Sequence, residues 1–71
     1  MMLHGVDVEA FVALFKRQRE QLYLKHGVAY PIAPLSRWAD AWMRETWPDK
    51  MHEERLKCWH ELLGYVKEQT S

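Results

Sequence analysis

The chain has little of what defines several protein classes. Among its 71 residues there are one cysteine, three glycines and three prolines, and 10 Lys and Arg balance 10 Asp and Glu. A lone cysteine cannot form an internal disulfide and supplies one thiolate at most, which excludes a disulfide framework and a cysteine-rich zinc module. Zero net charge gives no overall attraction to nucleic acid or to an anionic membrane. At this length we expect a single domain.

Long apolar segments are also missing. The longest apolar run, Ala10 to Phe15, is far shorter than the roughly 20 residues that span a bilayer. The amino terminus lacks a basic region followed by an apolar core, so it does not resemble a secretory signal. We therefore expect a cytoplasmic protein with no membrane contact.

Large aromatic side chains, in contrast, are abundant. Four Trp, three Tyr and two Phe occur in a chain that is 48% hydrophobic. Each aromatic can bury about 150–250 Å², and a chain this small hides only about 60% of its unfolded surface. Two interpretations stay open: the Trp residues replace several smaller core residues, or one or two of them lie on a surface for self-association or for a partner.

Capping signals predict an all-α fold, a small bundle of three helices. Residues 1–6 are read as a short, poorly ordered lead-in. Asp7 is a good N-cap and Gly27 a good terminator, which predicts helix 1 over about 8–26. Two prolines predict an extended connector over 28–35. Ser36 then caps helix 2, about 37–45, and the Thr46–Asp49 segment resembles a capping box for helix 3, about 48–68.

The predicted second helix is apolar around well over half of its circumference. A helix of this kind needs cover on two sides, supplied either by helices 1 and 3 or by a second chain. Asp40 and Arg44 share its narrow polar strip at ion-pair spacing. Buried aromatic and arginine side chains dominate the energy of many interfaces. The predicted partner or dimer interface therefore comprises Trp38, Trp42 and Trp47, with Tyr30, Met43, Arg37 and Arg44 around them.

The sequence shows no catalytic motif and no pattern for a cofactor or small-molecule substrate. His52 begins a zinc-protease-like pattern, but Leu56 occupies the second histidine position, so we expect no metal site. Cys58 and His60 would point about 200° apart on a helix, and Cys58 is read as a buried apolar filler. Glu45 could approach His52 or Arg55 across the turn between helices 2 and 3. We expect a structural ion pair there, with a pH-responsive cluster as the alternative.

These patterns predict a small non-enzymatic protein–protein interaction module. It would be an adaptor or an inhibitor that modulates a larger protein by direct binding, and a homodimer is an open possibility. The alternative is a DNA-associated regulator with helix-turn-helix-like geometry. In that case the basic residues Lys16, Arg17 and Arg19 of helix 1 would touch phosphates without reading bases.

Overall fold

The protein is a three-helix bundle with a small β-hairpin at its amino terminus, as seen in a computed structural model that describes residues 1–27 and 32–70. The hairpin consists of β1 (Met2–Leu3) and β2 (Val6–Asp7), and the helices are α1 (Val8–His26), α2 (Ile32–Thr46) and α3 (His52–Thr70). The predicted all-α class with three helices is confirmed. Within the described ranges, none of the helices combines the length and the apolar character that a bilayer span requires.

Both ends of α1 are where the capping signals predict them. The Asp7 carboxylate accepts hydrogen bonds from the backbone N–H groups of Glu9 (3.1 Å) and Ala10 (3.4 Å). Gly27 adopts the left-handed conformation, with φ 73°, and its N–H donates to the Tyr23 carbonyl at 2.7 Å. Glycine adopts this conformation without the steric penalty of a Cβ, so it ends the helix.

The second helix begins earlier than predicted. It starts at Ile32, so residues 32–35 are helical instead of extended, and Ser36 lies inside the helix rather than at its cap. The remaining predicted connector residues, 28–31, lie outside the described residues. Pro34 is the third residue of α2. The first four N–H groups of a helix have no intrahelical partner, so a proline at that position loses no hydrogen bond.

The turn between α2 and α3 also differs from the prediction. Thr46 is the last residue of α2 and α3 starts at His52, so the predicted capping box at Thr46–Asp49 is wrong. The Trp47 N–H donates to the Met43 carbonyl at 2.9 Å, which continues the α2 hydrogen-bond pattern past Thr46. An N-cap needs a residue that has left the helical conformation, and Thr46 has not.

Arg55 closes this turn from α3. Its Nε donates to the Trp47 carbonyl at 2.9 Å and its Nη2 to the Pro48 carbonyl at 3.3 Å. The observed partners of Arg55 are therefore backbone carbonyls and not the Glu45 carboxylate of the expected ion pair. Both acceptors belong to the turn that follows α2, so Arg55 ties this turn to the first residues of α3.

The first residues form a hairpin instead of the poorly ordered lead-in predicted for residues 1–6. Met2 pairs with Asp7 and Leu3 with Val6. His4 and Gly5 form the turn with φ values of 52° and 77°, a left-handed pair that suits two-residue hairpin loops. Leu3 and Val6 pack against the core, which holds the hairpin on the bundle.

Aromatic rings form the centre of the core. Phe11 and Leu62 are its most buried large side chains. The Trp38 ring of α2 contacts Phe15 of α1 and Trp59 of α3, with centroids 6.1 and 6.0 Å apart. The Trp42 ring contacts Phe11 at 5.0 Å and Trp59 at 5.7 Å. Helices α1 and α3 thus cover the wide apolar face of α2 within one chain.

Candidate functional site

The predicted interface residues lie in several different environments. Met43 and Trp47 are core residues, 6% and 5% exposed, so the expectation that they lie on a partner surface is corrected: their own chain encloses them. Trp38 and Trp42 are half-buried, with their rings against the core. Tyr30 lies outside the described residues.

Arg37 and Arg44 are exposed on α2. The predicted i,i+4 pair is confirmed, since Arg44 Nε lies 3.2 Å from Asp40 Oδ2. Both of these side chains are largely accessible to water, so the pair adds little to stability. Its importance lies in charge, because Arg44 offsets the Asp40 carboxylate on the surface of α2.

The basic residues of the nucleic-acid alternative do not share one surface. Lys16 and Arg19 line a shallow depression with Glu20 and Tyr23. Arg17 follows Lys16 by one position and therefore points about 100° away. Glu20 lies within the depression, and Arg17 points away from it. The three basic residues therefore do not form one basic patch, and the nucleic-acid alternative stays a prediction.

The feature that the sequence analysis missed is a groove between α2 and α3, called here the α2–α3 groove. It consists of two depressions with volumes of about 250 and 300 Å³. Residues of all three helices line the first one: Phe15, Leu35, Ser36, Ala39, Trp59, Leu63, Val66 and Lys67. Residues of α2 and α3 line the second one: Ser36, Ala39, Asp40, Met43, His52, Leu56, Trp59 and His60. Because Ser36, Ala39 and Trp59 belong to both, the depressions adjoin.

Small side chains on α2 create the groove. Ser36 and Ala39 are three positions apart and therefore face the same way, opposite the large Trp59 ring of α3. Larger residues at these two positions would fill the space. The sequence contains this signal, an i,i+3 pair of small residues, but the pair shares a helix face only if Ser36 lies inside α2 and not at its predicted N-cap.

The polar groups of the groove are distributed unequally between its two sides. The α2 side carries Ser36 and Asp40, and the α3 side carries His52, His60 and Lys67, all three of which are exposed. These three residues, called here the basic rim, lie along one side of α3. The groove therefore combines an apolar floor with one rim of cationic or titratable groups.

A second cluster joins the hairpin to the other side of α3. The Trp47 Nε1–H donates to the His4 carbonyl at 2.9 Å, and the His4 ring contacts the Glu61 carboxylate. Glu61 and Leu63 are two positions apart on α3, so they point about 200° apart. The hairpin cluster thus lies away from the α2–α3 groove, and its contacts hold the amino terminus in place.

Metal-binding and nucleophilic groups give no second candidate within the described part of the chain. There, no three His, Cys, Asp or Glu side chains come together as metal ligands would. Cys58 is buried, as the sequence analysis predicted for an apolar filler. Comparison with protein-family models, with curated proteins and with solved structures gave no match to this chain.

Proposed function

We propose that the chain is a small, non-enzymatic protein-binding module, an adaptor or an inhibitor, whose partner docks in the α2–α3 groove. The observation that supports this proposal most directly is an open, largely apolar concavity along two helices, beside the aromatic core. Exposed apolar surface rimmed by polar groups is typical of a binding site. A cytoplasmic location is part of the proposal, supported by a fold whose sole cysteine is a buried free thiol.

The shape of the groove favours a helical partner segment. Its lining on α3 extends from His52 to Lys67, a distance of about 22 Å along a helix. Grooves between two helices commonly accept the apolar face of an amphipathic helix, whose side chains enter at one-turn intervals. The two adjoining depressions would accept such side chains in succession.

The proposal does not require a homodimer. The sequence-based reason for a second chain was the wide apolar face of α2, and α1 and α3 of the same chain cover that face through Trp38 and Trp42. Self-association stays a prediction, measurable by sedimentation equilibrium over a wide concentration range.

A peptide selection tests the proposal. The immobilised full chain is used to select helical peptides of about 16 residues, long enough to span the groove, from a displayed library. Selected peptides are then titrated into the isotope-labelled chain while backbone amide shifts are recorded. We expect the largest shifts at Ser36, Ala39, Trp59 and Leu63.

Two matched variants identify the groove as the binding site. Ser36→Tyr adds a ring at the centre of the groove, and Ala41→Tyr adds the same ring at an exposed position of α2 outside the lining. We expect Ser36→Tyr to weaken binding at least tenfold and Ala41→Tyr to leave it unchanged. Equal effects of the two variants, or amide shifts that cluster elsewhere, would contradict the proposal.

A further inference from the structure

We draw no further inference here: the strongest candidate, the exposed surface around Tyr23 and Leu24 in the second half of α1, combines apolar side chains with charges of both signs, and nothing in the described part of the structure shows what covers it.

Discussion

The two halves of α1 contain similar side chains in different surroundings. All four buried residues of this helix lie in its first half, Val8–Phe15, and none lies between Lys16 and His26. In the second half Leu22 is half-buried, and Tyr23 and Leu24 are 47% and 73% exposed. Yet Leu22 and Tyr23 belong to the same apolar arc as Phe11 and Phe15.

The difference shows what a periodic pattern can and cannot specify. Periodicity defines which face of a helix would be buried, but burial also needs another element beside that face. The first half has the hairpin, α2 and α3 beside it, whereas in the second half the described residues are half-buried or exposed. Helices in water are marginal without tertiary packing, so the second half depends on its connection to the first.

The largest expected effect comes from a ring in the packed half. Phe11→Ala removes a side chain that is 2% exposed and should lower the free energy of unfolding by about 3–5 kcal/mol. Tyr23→Ala, in the exposed half of the same helix, should cost less than about 1 kcal/mol. Chemical denaturation of both variants measures the contrast. Similar losses would show that the second half is packed and would break the comparison.

The second-largest effect is expected for Trp47→Phe, because Trp47 lies in the core and its indole N–H holds the hairpin through the His4 carbonyl. The substitution removes the Nε1–H donor of the His4 carbonyl and leaves a small gap, for a cost of about 1–3 kcal/mol. Hydrogen exchange should accelerate in residues 2–7 and stay unchanged in the second half of α1, which serves as an internal control. Uniform acceleration along the chain would mean that the hairpin does not open separately.

The two ends of α1 provide a matched pair of smaller effects. Asp7→Ala removes the cap beside the packed half and should lower the free energy of unfolding by about 1 kcal/mol. Gly27→Ala places a Cβ at φ 73°, which is strained, but the exposed half can relieve that strain by fraying. We therefore expect a smaller loss of global stability and faster amide exchange over residues 21–26. Equal shifts of the unfolding midpoint would contradict this expectation.

The smallest effect is expected for Glu61→Gln. The Glu61 carboxylate contacts the His4 ring at the surface, where it is 58% exposed, and water screens such pairs. The unfolding free energy should fall by less than about 0.5 kcal/mol, and the change should diminish further as salt is added. A loss as large as that of Trp47→Phe would mean that the side-chain contact, rather than the backbone acceptor, holds the hairpin.

The parts of the fold that could be predicted from sequence are those set by local chemistry. Asp7 and Gly27 mark the ends of α1 because capping depends on one residue and its immediate neighbours. The predicted start of α2 is wrong because Pro34 does not exclude a helix when it lies in the first turn. The hairpin was missed because its two-residue strands are stabilised by contacts with Trp47 and α3, distant in sequence.

The candidate site was harder to predict than the fold. The predicted interface relies on the wide apolar face of α2 with aromatic and arginine anchors and includes Trp47 and Met43, whereas the groove depends on the small residues Ser36 and Ala39. The groove exists because no large side chain fills the space at Ser36 and Ala39. Its opposite wall comes from Trp59 on another helix. Neither is visible in the periodicity of one segment.

The ring cluster has a consequence for the conformational entropy of folding. Ordering a side chain costs conformational entropy that grows with its number of rotatable bonds. A Trp or Phe side chain has only two such bonds and still covers a large area. By filling its core with rings such as Phe11, Phe15, Trp42 and Trp59, the chain immobilises few torsions for the area that it removes from water. Met or Leu side chains of equal summed area would have more rotatable bonds to order. Their loss of conformational entropy would be larger, and the free energy of unfolding would be lower.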